Sequence, residues 1–264
     1  MQIKVRAFGV LKERLGEDAT PVELPEGATV ADLLVQIENG TTSLRGIAVS
    51  VNAEYARAGD VLHEGDEVGL LPPVSGGRGP EEPAADSTTA QPAGPTAAEL
   101  NEYSAMALLL SGVKGRAPVV SVGLQRDPID AAALTRQAKD AEDGAVVVFD
   151  GIVRNNSRGR QTLYLEYEAY EEMALAKLDA LAHEARERFG VRFVGIVHRL
   201  GRLGIGQTSV LIVVASAHRA QAYEASRFLI DTLKKTVPVW KKETFEDGTV
   251  WADGEPFPEG VGIA

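Results

Sequence analysis

The chain has 264 residues, with 27 Lys+Arg against 38 Asp+Glu and a formal net charge of −11. Acidity on that scale makes it a poor counterion for a phosphate backbone and argues against bulk nucleic-acid binding, while 44% hydrophobic and 25% charged residues is the composition of a folded globular protein. There is no cysteine, which excludes disulfides, thiolate metal sites, iron–sulfur clusters and cysteine nucleophiles, so any sulfur chemistry must use sulfur attached from outside.

The first stretch, MQIKVRAFGV, alternates like a strand and lacks the charged head and apolar block of a signal peptide. No apolar run approaches the roughly 20 residues that cross a bilayer. A cytoplasmic protein without membrane contacts is the expectation. Gln2–Val10 and Val22–Leu24 predict a hairpin pair, and Thr29 is placed to cap a helix over Val30–Glu38, whose Val30, Leu33, Leu34 and Ile37 recur at helical spacing. Gly40 stops it. Ile47–Val51 and Glu67–Leu71 read as further strands, with Asn52 and Gly65 in turns. Two strands, a helix and two strands within residues 1–77 is the element order of a small β-grasp domain. It runs out into PPVSGG, where two prolines hold the chain extended and two glycines remove side-chain bulk, giving a tail thin enough to thread a narrow pocket.

After Gly77 the composition changes to RGPEEPAADSTTAQPAGPT, with almost nothing to bury, so residues 78–117 read as a flexible linker carrying at most a short helix over 97–110. From residue 118 the pattern predicts a helix near Asp130–Asp140, strand Ala145–Ile152, loop Arg154–Gly159, strand Leu163–Ala169 and a long helix from Glu171 to Phe189. Strands Phe193–Arg199 and Ser209–Ser216 follow, joined by a turn at Gly201–Gly206, then a helix from Arg219 to Lys235 that Pro238 ends, and a last strand near Thr249–Trp251. The fold class is α+β, on a largely antiparallel sheet. This segment carries 18 Lys+Arg against 21 Asp+Glu, and its cations are grouped, so a local anion site is compatible with an acidic chain.

Three stretches can carry chemistry, and each has a plainer meaning. Ser216-Ala217-His218-Arg219 joins a strand to a helix start, which suits an anion but is also how Ser216 would cap a helix beside solvated His218 and Arg219. Lys234 and Lys241 flank the Pro238 turn, which can aim both ammonium groups at one spot for acid–base or Schiff-base work; a helix C-terminus with favourable surface cations looks the same. Arg154 opens a polar loop as a possible second anion contact or an ordinary surface charge, and Phe149 is either core or pocket wall. His183 and His198 lack a ligand-like companion pattern, so no metal site is expected, and there is neither a phosphate-binding loop nor a dinucleotide fingerprint.

Residues 1–77, ending LLPPVSGG, resemble the ubiquitin-like small subunit of the molybdopterin synthase family. Residues from about 118 to 255 resemble its large, catalytic subunit in the stretches GAVVVFDGIVRN, YEAYEEMA, HRLGRLGIGQ, SAHRAQAYEA and LKKTVPVWKKE. The resemblance implies a natural fusion with a β-grasp sulfur-carrier domain (1–77), a linker (78–117) and a catalytic domain (118–264). It implies a thiocarboxylate on Gly77, made by an adenylating and sulfurating partner enzyme, and two sulfur transfers that turn cyclic pyranopterin monophosphate into molybdopterin, with no permanently bound cofactor. By position, Lys234 and Lys241 match catalytic lysines; Arg154, His218, Arg219 and Phe149 match pocket residues; and the large subunits form a homodimer in which each pocket draws residues from both protomers, with His218 and Arg219 acting across the dimer interface. One departure matters: only a free carboxylate can be adenylated, yet Gly77 is joined to Arg78, so cleavage after Gly77 is expected. The alternative is a ubiquitin-like sulfur carrier or interaction protein of another pathway, with a C-terminal domain that only binds.

Overall fold

The computed structural model describes residues 1–16, 19–38, 44, 46–74, 119–157, 159–252, 254 and 257; Gly77, the 78–117 connector and the helix expected over 97–110 lie outside the described residues. In strand β1 (Gln2–Ala7) Ile3, Val5 and Ala7 point inward, as period-2 alternation demands. β1 pairs antiparallel with β2 (Thr20–Glu23) and parallel with β5 (Glu67–Leu71), and β5 pairs antiparallel with β3 (Ala48–Val51). The sheet order is β2-β1-β5-β3-β4. Helix α2 (Val30–Glu38) lays Val30, Leu33 and Leu34 into the core beneath this sheet. Its start is closed reciprocally: Thr29 Oγ1 accepts from the Asp32 N–H at 3.3 Å, and the Asp32 carboxylate accepts from the Thr29 N–H at 2.8 Å.

Two details differ from expectation. The first strand ends at Ala7, and Gly9–Leu11 turns into a short helix, α1 (Lys12–Leu15). A fifth strand, β4 (Glu54–Ala56), pairs with β3 across the residues Asn52 (φ 50°) and Ala53 (φ 66°). Two consecutive positive φ values are what a two-residue hairpin turn requires, but Ala is not the residue that announces one.

The second half has two sheets rather than one. The first has the order β6-β10-β12-β7 and the second β11-β9-β13-β14, with β8 paired to β9. β6 (Val120–Gln125), unanticipated, lies parallel to β10 (Phe193–Arg199). β10 and β7 (Ala145–Ile152) flank β12 (Thr208–Ser216), both antiparallel to it. Helix α3 (Ala131–Ala138), capped by the Asp130 carboxylate on the Ala133 N–H, covers one face of that sheet. Helices α4 (Glu171–Phe189) and α5 (Arg219–Thr236) cover the other, burying Leu178, Leu181, Leu229 and Leu233 against Ile196, Ile212 and Val214. β8 (Asn156–Ser157) and β9 (Arg160–Ala169) occupy and follow what reads as a loop in the sequence. The expected turn at Gly201–Gly206 is instead a strand, β11 (Gly201–Gly204), paired with β9 before turning. β13 (Val239–Phe245) and β14 (Gly248–Trp251) complete the second sheet.

The two halves meet through an aromatic cluster. Phe8, 4% exposed, stacks on Tyr170 at 4.6 Å and on Trp240 at 5.4 Å between ring centroids. The Trp240 indole N–H donates to the Pro72 carbonyl at 2.9 Å, and Tyr55 donates to the Thr236 carbonyl at the end of α5. Lys12–Glu168 and Lys242–Glu13 ion pairs frame the contact. Two glycines permit backbones to approach. A Cβ on Gly9, which sits at φ 51°, would lie 3.0–3.1 Å from Pro72 and Trp240, and one on Gly254 would collide with the Pro73 carbonyl oxygen.

Candidate active site

A cleft of about 350 Å³ opens in the second half, within the usual range for a small-ligand site. Phe149 on β7, Arg154 just beyond it, Lys234 near the end of α5 and Lys241 on β13 all line it. The local reasons are periodic. In the last turn of α5, Lys234 is half-buried on the cleft side while Lys235 is exposed. Pro238 then breaks the helix, and in β13 every second residue, Val239, Lys241 and Glu243, faces the cleft.

Lys241 pairs with Glu243 at 3.1 Å, their side chains 17% and 9% exposed. This acid partner stands out from sequence only as one of several charges in WKKE. Behind the lysines lies a buried polar layer. Tyr167 of β9, opposite Lys241 in the ladder, lies beside Ser209, whose Oγ donates to the Gly151 carbonyl at 2.8 Å. Burial pushes the Tyr167 hydroxyl pKa up. His198 of β10, 5% exposed, stands edge-on to Tyr167 at 5.1 Å. Burial pushes its pKa down to about 4, against a weaker upward pull from its hydrogen bond to the Arg199 carbonyl. Thr162, also on the cleft wall, keeps a buried hydroxyl without a hydrogen-bond partner.

His218 and Arg219 are not at this cleft. Both are exposed at the start of α5, and the helix rise puts Arg219 about 22 Å along the axis from Lys234. Ser216 does not cap the helix: it is buried at the end of β12, His218 occupies the N-cap position, and no side chain caps it. Among the described residues no cluster of three or more His, Asp or Glu could hold a metal ion, and no helix is long and apolar enough to cross a membrane.

Comparison with known proteins gives both halves relatives. Residues 124–236 match the MoaE protein family, and residues 5–77 match the ThiS family. The chain is 42% identical over 142 residues to the molybdopterin synthase catalytic subunit of Halalkalibacterium halodurans, an alignment covering 52% of this chain and 91% of that protein. It is 41% identical over 128 residues to the catalytic subunit of Bacillus subtilis, covering 48% of this chain and 82% of the relative. Among solved structures, molybdopterin synthase from Staphylococcus aureus superposes with a TM-score of 0.47 at 43% identity, covering 48% of this chain and 93% of that one.

Proposed function

The chain belongs to the molybdopterin synthase family, an enzyme family of molybdenum cofactor biosynthesis, and from that premise we propose that it moves sulfur from a thiocarboxylate on Gly77 to cyclic pyranopterin monophosphate, building the dithiolene of molybdopterin. In this reading the chain is cut after Gly77, a partner enzyme adenylates and sulfurates the new carboxyl end, and the tail enters the cleft. A chain without cysteine suits this chemistry, since the sulfur travels on a carboxyl group.

The observation that supports the reading is that Lys234 and Lys241, brought from a helix end and a strand, line one cleft. As acids and as positive charges they would protonate the group leaving the substrate carbon and stabilise the oxyanion at the Gly77 carbonyl. Arg154 would hold the anionic end of the substrate, and Phe149 would give its flat ring an apolar wall. His218 and Arg219 are too far from their own chain's cleft, so they would serve that of a second protomer in a homodimer of catalytic domains.

The test is conversion of cyclic pyranopterin monophosphate by cleaved, thiocarboxylated protein. Lys234→Ala and Lys241→Ala should each slow it about a hundred-fold or more, Lys234→Ala without moving the unfolding midpoint and Lys241→Ala, which leaves Glu243 buried without its ammonium partner, in protein shown to be folded at the assay temperature. A carrier that only delivers sulfur to another pathway would be indifferent to both, and wild-type rates in either variant would overturn the assignment. Intact mass of protein from its native host tests the cut: a fragment ending at Gly77 with one oxygen replaced by sulfur is expected, and an active preparation holding only full-length chain would refute it.

A further inference from the structure

The charged groups that face the cleft from Arg154, Lys234 and Lys241 are hydrogen-bond donors only. They can hold an anion or a carbonyl oxygen, but they offer nothing to a ligand N–H, and the cleft's one carboxylate among the described residues, Glu243, is already held by Lys241 at 3.1 Å. His198 is of the other kind. It lines the cleft from β10, inside the sheet between β6 and β12, where Leu124 and Val210 are its ladder neighbours. Its Nδ1 lies 3.0 Å from the Arg199 carbonyl oxygen, which can only accept, so Nδ1 carries the proton and Nε2 keeps a lone pair. Among the described residues none donates to Nε2. The ring packs edge-on against Tyr167. A pKa near 4 keeps the imidazole neutral throughout the neutral range.

We propose that His198 is a substrate-binding residue whose Nε2 accepts a hydrogen bond from a ring N–H of the bound heterocycle, while the lysine and arginine wall holds the ligand's anionic end. This rests on the pterin reading of the cleft, because it requires one ligand with both an N–H edge and an anionic group.

Two substitutions separate this role from a structural one. In His198→Asn the amide nitrogen stands where Nδ1 stood and can still donate to the Arg199 carbonyl, but nothing replaces Nε2. In His198→Gln the amide reaches the Nε2 position and can accept, while the Arg199 bond is lost. Binding of cyclic pyranopterin monophosphate, followed by calorimetry with inorganic phosphate as a competitor, should weaken about tenfold in the Asn variant and stay within about threefold of wild type in the Gln variant. Phosphate affinity should be unchanged in both. A residue that only anchors Arg199 predicts the opposite order, and equal or reversed losses overturn the proposal. Should the Asn variant not fold, folded His198→Gln binding about tenfold or more weakly would overturn it equally. In the unsubstituted protein with ¹⁵N-labelled histidine, the Nε2 resonance of His198 should move on adding the pterin and stay put on adding phosphate; no movement refutes the contact. If wild-type protein binds phosphate but not the pterin, the reading of the cleft itself fails, an outcome distinct from failure of His198 alone.

Discussion

Phe8→Ala tests whether the contact between the halves is a specific docking surface. The ring is almost wholly buried, and its main partners, Tyr170 and Trp240, both belong to the other half. Truncating a buried Phe costs about 3–5 kcal/mol, part from lost transfer and part from the void left behind. Because the ring sits between two facing aromatic side chains, most of that falls on docking and little on the β-grasp core, which is built separately around Ile3, Val5, Leu33 and Leu70. A docking loss of about 3 kcal/mol is a roughly hundred-fold weaker association. The assay uses the full chain with a protease site inserted in the 78–117 connector: after cutting, the dissociation constant between the halves is read by sedimentation. The exposed Val35 on α2 supplies the control, since Val35→Ala should leave association unaltered. If cut Phe8→Ala protein, folded by circular dichroism, associates within threefold of wild type, the aromatic cluster does not hold the halves together and the argument fails.

Acid should loosen the same contact. Burial pushes the Glu67 carboxyl up, but hydrogen bonds from Arg6 and Tyr170 outweigh it and hold the pKa below the ordinary 4.5; the stabilisation is therefore complete above that value and is lost as pH falls through the lowered pKa, a dependence Glu67→Gln should flatten in a sedimentation series. Glu243→Ala removes one charged partner of a mostly buried ammonium, so urea unfolding should show a loss of about 2 kcal/mol and synthase turnover should fall with it. Asp130→Ala deletes the cap of α3 and should cost about 1 kcal/mol by the same unfolding measurement while leaving turnover unchanged, because α3 packs on the sheet face away from the cleft helix α5.

Where periodicity and caps agreed, the sequence was enough. The bounds of α2, β5, β7, α4 and β10 are legible to the residue, since each has a clean apolar repeat closed by a recognisable stop such as Gly190 in the left-handed region after α4. β11 was hidden because glycines at 201 and 204 look like a turn, although a strand can carry them when its neighbour β9 supplies the ladder. β4 was hidden because Ala53, not glycine, takes the second positive φ of its hairpin. The cleft was half legible. Motif likeness pointed to Phe149, Arg154, Lys234 and Lys241, but Glu243, Tyr167 and His198 come together only through strand register, which no local pattern encodes.

β13 shows why register matters for function as well as fold. Its sequence VWKKETF reads as a charged stretch after a proline, yet alternation sorts it into two surfaces. Val239, Lys241 and Glu243 face the cleft, while Trp240 and Lys242 face the β-grasp half, bonded to Pro72 and Glu13. The neighbouring strand β9 divides the same way, with Leu165 and Tyr167 on the cleft and Glu168 paired to Lys12. A slip of one residue would bury the docking face and expose the lysine, so one register sets both surfaces.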